Sequence, residues 1–322
     1  DSGLPLDIGL FYRMGLVGAI SVGITFGLLE IIFEKRPFRN LSYGKLLVAK
    51  SLIYIMIFVS TMALLSMRNQ QISYGYFDFH LWQSIFFQGN MLIPISFMAF
   101  AGILLNFIRV VSLKFGPGNL WHMLNGKFHR PRQEERILMF LDLKSATAIA
   151  EKLGHIKFSE LIQDCFSDLG VVQQYRAEVY QYVGDEAVLA WDITSGLRDS
   201  NCIKAYFAFM DVLNKRSGYY QQKYGLVPFF KAGMNLGYVT IAEVGSIKKE
   251  IAFHGDTVNT AARIQAMCNQ FSQGLLITES LAQRLQETDE FSIESLGLIP
   301  LKGKLKEVDI YSIHRAGSRN KG

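Results

Sequence analysis

The sequence predicts an α+β domain preceded by an α-helical transmembrane domain, and three observations carry that reading. Residues 1–112 hold 13 of the 61 Asp, Glu, Lys and Arg residues, and 113–322 hold the other 48. The first part contains three long runs almost without charge, whereas the second mixes strand-like and helix-like periodicity. Half of the 322 residues are apolar, so the chain must bury surface, which excludes a disordered protein.

The apolar runs are Met14–Phe33, Ser51–Met67 and Phe79–Ile108. Each is near the roughly 20 residues that a spanning helix needs, giving expected spans at about 14–33, 46–67 and 84–108 within a membrane domain 1–112. Lys35, Arg36, Arg39 and Lys45 join the first two spans, while the next loop offers only Arg68. By the positive-inside rule the first loop is cytoplasmic. Arg109, Lys114, Lys127, Arg130 and Arg132 then follow the third span on the same side. The expected location is therefore the cytoplasmic (inner) membrane, multi-pass, with the C-terminal half in the cytosol. The chain starts at Asp1 rather than Met, which leaves room for an upstream span. Gly23 and Gly27 form a small-xxx-small pair suited to close helix approach and dimerisation.

Residues 113–135 read as a cytoplasmic linker. Phe115-Gly116-Pro117-Gly118 stops a helix, and an amphipathic stretch, Asn119–Leu124, precedes the basic run Lys127–Arg132. The net charge of +5 comes without a basic block interleaved with aromatics, so no nucleic-acid partner is expected. Cys165, Cys202 and Cys268 lack the spacing of a zinc site or a disulfide framework and read as reduced thiols.

The second domain is expected over 136–316, with a short tail at 317–322. Ile137–Leu143 reads as a buried strand, Ser145–Gly170 as helices, and Glu178–Val183 with Ala187–Trp191 as a hairpin around Gly184-Asp185. A helix near 203–224, strands near 229–244, a helix over 257–268 and β-type segments to 313 complete a sandwich of helices over a sheet.

Asp142 and Asp185 thus fall at strand ends. If their strands are neighbours, the carboxylates suit hard divalent cations, which take oxygen ligands, and paired metals suit phosphoryl chemistry. Each also has a structural reading: Asp142 as a cap for a helix starting near Ser145, and Asp185 as a turn residue. In the segment Gly255 to Arg263, Asp256 is placed to cap a helix whose Asn259 and Arg263 stand four apart on one face. That pair suits a ribose and a phosphate, Arg offering a planar fork of donors; an ordinary exposed pair is the alternative.

Taken together, Phe-Leu-Asp-Leu at 140–143, Val-Gly-Asp at 183–185, His-Gly-Asp-Thr-Val-Asn-Thr-Ala-Ala-Arg at 254–263 and Leu-Lys-Gly-Lys at 301–304 occur in the order and spacing of one family. Residues 136–316 resemble the class III adenylate/guanylate cyclase catalytic domain, a ferredoxin-like α/β sandwich, and with its spans the chain is similar to bacterial membrane-anchored adenylate cyclases. The resemblance implies two divalent ions, Mg²⁺ or Mn²⁺, on Asp142, Leu143 and Asp185. One would activate the ribose 3′-hydroxyl to attack the α-phosphate of ATP, and the other would hold the triphosphate, yielding 3′,5′-cyclic AMP and pyrophosphate. It further implies that Asn259 orients the ribose, that Arg263 stabilises α-phosphate charge, and that Lys302, with Lys304 as a helper, binds triphosphate. Because the family's sites form between two catalytic domains and this chain has one, a homodimer with shared sites is implied.

The base-reading positions depart from the family pattern, with Gln181 where Lys or Glu is usual and Ala252 where Asp or Thr is common. Gln can pair bidentately with an adenine edge, although a flipped amide also addresses guanine. Adenine is the reading chosen, with a guanylate cyclase, or a silent nucleotide-binding or dimerisation module, as the alternatives. A diguanylate cyclase fits less well, because Val183 and Ala187 replace two residues of its signature.

Overall fold

In the computed structural model, residues 43–88, 92–116, 119–286, 289–301 and 307–316 are described, with scattered positions between 16 and 32. The chain divides into two compact units, Asp1–Phe115 and Gly116–Gly322.

The first unit is helical: α1 (Tyr43–Tyr74), α2 (Phe79–Gln88) and α3 (Leu92–Phe115). The Trp82 indole N–H donates to Ser66 Oγ at 2.6 Å and ties α2 to α1. Among the described residues one stretch, the 29 residues Gly44–Ile72, is long and apolar enough to cross a membrane. Its Leu52, Met56, Leu64 and Ile72 side chains are exposed, as on a helix apolar all round. Helices α2 and α3 both fall in the third expected run, which includes a shorter apolar stretch at Phe100–Ser112, while residues 89–91 and much of the first run lie outside the described residues. Helix α3 ends at Phe115, followed by Gly116 at φ 84°.

The second unit begins with α4 (Asn119–Leu124). Phe128, in the expected linker, is buried in the core of this unit, and its carbonyl accepts the Glu243 N–H. Strand β1 (Arg132–Leu143) starts four residues before the expected boundary at 136. There follow α5 (Ala146–Leu153), α6 (His155–Asp168), β2 (Glu178–Val183), β3 (Glu186–Asp192), α7 (Asn201–Lys215) and α8 (Ser217–Tyr224). The chain continues through β4 (Phe230–Val244), β5 (Glu250–His254), α9 (Asp256–Met267), β6 (Leu275–Thr278), β7 (Phe291–Ile299) and β8 (Val308–Arg315).

The strands form one mixed sheet in the order β2-β3-β1-β4-β6-β8-β7, with β5 also paired to β4. Alternation along a strand sends neighbouring side chains to opposite faces. Ile137, Met139 and Leu141 of β1 and Phe230, Ala232 and Met234 of β4 join a core with residues of α6, α7 and α8. Leu138 and Phe140 face the other way, into a smaller cluster with Val239, Ile241 and Ala261 of α9. The result is the expected α+β sandwich.

Helix α9 lies close to the sheet because β4 presents small residues beneath it. A Cβ at Gly233 would sit 2.1 Å from the Gln265 backbone nitrogen, and one at Gly237 2.7 Å from Thr257 Oγ1. Between them Asn235 donates through Nδ2 to the Thr257 carbonyl at 3.1 Å, so sheet and helix are joined by backbone contact and a buried hydrogen bond.

Candidate active site

Three strands bring charged groups side by side on the α9 face of the sheet. In the antiparallel register Asp142 stands opposite Lys231 of β4 on one side and Glu186 of β3 on the other. Directly opposed residues share a face, so the row across the sheet reads cation, carboxylate, carboxylate. Asp185 reaches this row from the two-residue Gly184-Asp185 loop that joins β2 to β3, with Gly184 at φ 63°.

Asp142 is held by two donors at one oxygen. Lys231 Nζ lies 3.2 Å from Oδ2, and Gln265 Nε2 of α9 donates to the same atom at 3.0 Å. It does not cap the following helix: the cap position of α5 is Ser145, at φ 61°, and no side chain caps that end. Leu143 has its side chain in the core, which leaves its carbonyl as the group to offer a cation.

Electrostatics in the row are dominated by crowded negative charge. Burial, with the neighbouring Asp142 carboxylate adding to it, raises the pKa of Asp185. Burial and repulsion from Asp142 and Asp185 push Glu186 up to about 7. Oxygen donors in this surplus of negative charge suit a hard divalent cation. Among the described residues no three His, Cys, Asp or Glu side chains are arranged to hold a metal.

The raised carboxyls fix a pH dependence. A folded pKa above the unfolded value means that the native state binds the extra proton, so stability is greatest below the unfolded value and is lost as pH rises through the folded one. In chelator the melting temperature is expected to fall between about pH 4.5 and 7, and Glu186→Gln should make that slope shallower. Thermal melts at a series of pH values check this; an unchanged slope in the variant would assign the proton elsewhere.

Asn259 and Arg263 lie on α9, the first exposed and the second half-buried. Thr257, Thr260, Ala261, Ile264 and Gln265 form its buried face. Arg263 and Gln265, two positions apart, point about 200° apart around the helix axis. The helix therefore turns Gln265 to Asp142 of its own chain and presents the Asn259 and Arg263 face elsewhere. Asp256 is in the first turn rather than at the cap, which is Gly255; its carboxylate accepts from Thr260 Oγ1 at 3.4 Å.

Gln181 is exposed on β2 and Ala252 is half-buried on β5. Their chain neighbours Tyr180 and Phe253 stack with centroids 4.1 Å apart, and the Phe253 N–H donates to Tyr180 Oη at 3.0 Å. A register shift between Val179 and Gln181 accompanies the stack. Lys302 and Lys304 lie outside the described residues. Lys231, Gln265 and Glu186 are the site residues that sequence reasoning missed. A signal existed for the first, since a lone Lys inside Phe-Phe-Lys-Ala-Gly-Met marks a charge in a buried strand, where it requires a partner.

Adenylate cyclase 2 of Rhizobium meliloti (strain 1021) is 32% identical over 222 residues, covering 69% of this chain and 61% of that protein. The adenylate cyclase of Anabaena cylindrica is 25% identical over 187 residues, covering 55% and 36%. The chain thus spans less than two thirds of either relative. The structure of a bacterial light-regulated adenylyl cyclase shares the fold, with a TM-score of 0.59 at 21% identity, covering 70% of this chain and 66% of that one. The family model for the adenylate and guanylate cyclase catalytic domain matches residues 129–315. Matched from just before β1 to the last residue of β8, the chain belongs to the adenylate and guanylate cyclase catalytic domain family.

Proposed function

We propose that this protein is a membrane-anchored adenylate cyclase that works as a homodimer with two shared sites, converting ATP to 3′,5′-cyclic AMP and pyrophosphate. The observation that carries the reading is the two-sided helix α9. One face meets Asp142 of the same chain through Gln265, and Asn259 and Arg263 lie off the buried face of the helix, where a second chain's carboxylate pair would meet them in the proposed dimer. Class III cyclases function as dimers, and the curated relatives reported above are named adenylate cyclases.

In this reading Asp142, Asp185 and the Leu143 carbonyl hold divalent metal, Mg²⁺ or Mn²⁺. When bound, the metal supplies Lewis-acid stabilisation of phosphate charge and eases deprotonation of the attacking hydroxyl. Asn259 orients the ribose so that its 3′-oxygen faces the α-phosphorus. Arg263 from the partner chain offers its planar donors to the α-phosphate oxygens as charge gathers there. Lys302 and Lys304 take the triphosphate, and Gln181, beside the wall formed by Tyr180, Phe253 and Ala252, reads the base. The helix Gly44–Ile72 supports the anchor by its length and apolar surface, and the catalytic unit would face the cytosol.

The test is turnover of ATP against GTP by the full chain in lipid with Mn²⁺, read by mass spectrometry. Cyclic AMP from ATP alone is expected. Cyclic GMP would move the base assignment of Gln181 to guanine, and silence with both would overturn the enzymatic reading.

A further inference from the structure

Lys231 is a charged side chain in an unusual setting. It is 5% exposed, between Phe230 and Ala232, which are fully buried, and Asp142 is its ion-pair partner among the described residues. A buried ammonium is costly unless paired, so the contact is a requirement of the fold. It forms directly across the β1–β4 ladder, between strands that cannot slip without turning every side chain to the other face. A cation approaching Asp142 therefore meets a fixed positive charge already at the carboxylate. Gln265 occupies the same oxygen from above, so neither donor depends on a mobile loop.

We propose that Lys231 is the resident cation of the metal-free site. It balances and positions Asp142, and it opposes divalent metal until a nucleotide's triphosphate brings enough negative charge to outweigh it. Metal loading is thereby tied to substrate loading, and the carboxylate pair does not collect free divalent ions between turnovers. Lys231 acts through Asp142 and is a positioning residue. The inference rests on the reading of Asp142 and Asp185 as the metal-holding pair, and the experiment separates the two.

Mn²⁺ is titrated into the full chain in lipid without nucleotide, and free Mn²⁺ is read by electron paramagnetic resonance. Lys231→Gln keeps a hydrogen-bond donor and removes the charge, and it should tighten Mn²⁺ binding about tenfold, the scale on which one adjacent charge moves a proton equilibrium. Lys231→Met, which keeps an unbranched chain without the charge, should do likewise and serves if the Gln variant folds poorly by circular dichroism. Lys231→Arg keeps the charge and should stay within about twofold of the unmodified chain. Equal Mn²⁺ affinity in the unmodified chain and the neutral variants, or no binding by the neutral variants, overturns the role of Lys231. If the Mn²⁺ bound by Lys231→Gln persists after Asp142→Asn is added, the metal is held elsewhere and the reading of the carboxylate pair itself fails.

Discussion

Asp185→Ala is expected to lower cyclic AMP formation about a thousandfold, since a lost metal ligand forfeits several kcal/mol of charge stabilisation at 1.36 kcal/mol per decade of rate. The metal-free fold should be unharmed. Asp185 sits in a two-residue loop, and its removal relieves repulsion on Asp142 and Glu186, so melting in chelator should hold or rise. Asp142→Ala is expected to lose as much turnover but also to melt earlier, because it leaves the Lys231 ammonium buried without its partner, a loss of about 3 kcal/mol or more. Steady-state rates and thermal melts of the two purified variants check both halves. Near-normal turnover in Asp185→Ala would remove the metal assignment, and equal melting of the two would deny Lys231 its dependence on Asp142.

Arg263→Ala should cost about a hundredfold to a thousandfold in turnover, as removal of one preorganised donor to a transition-state oxyanion does, with little change in stability because the side chain forms no ion pair among the described residues. The sharper result is complementation. In an Asp185→Ala chain mixed equally with an Arg263→Ala chain, half of the dimers would be mixed. Each would hold one site with both residues intact and one with neither, restoring about a quarter of normal activity. Absence of recovery, with mixed dimers demonstrated by native mass spectrometry, would place each site within one chain.

Much of the fold was legible because its signals are local. The run Ile137–Leu143, the Gly184-Asp185 turn and the periodicity after Gly255 each appear where expected, as β1, the β2–β3 loop and α9. The helix expected near 203–224 is instead two, α7 and α8, broken at Arg216 with φ −99°, and the strands near 229–244 are one long β4. What the sequence could not show is contact across register. Lys231 meets Asp142 only because twelve paired positions align β1 with β4, and Gln265 reaches the same carboxylate across 123 residues of chain. Glu186 is adjacent to Asp185 in sequence, but the register also sets it against Asp142 of the neighbouring strand, which adds to its crowding.

Gly233 shows how a reactive side chain is placed by an atom that is not there. The Gln265 backbone sits where a methyl group would be, so the separation of α9 from the sheet has a hard floor. Arg263 therefore inherits its height from the thickness of a bare peptide, two residues along the same helix. A library at position 233 should thus tolerate glycine and little else, and its failures would register first as a displaced guanidinium and only then as a broken core.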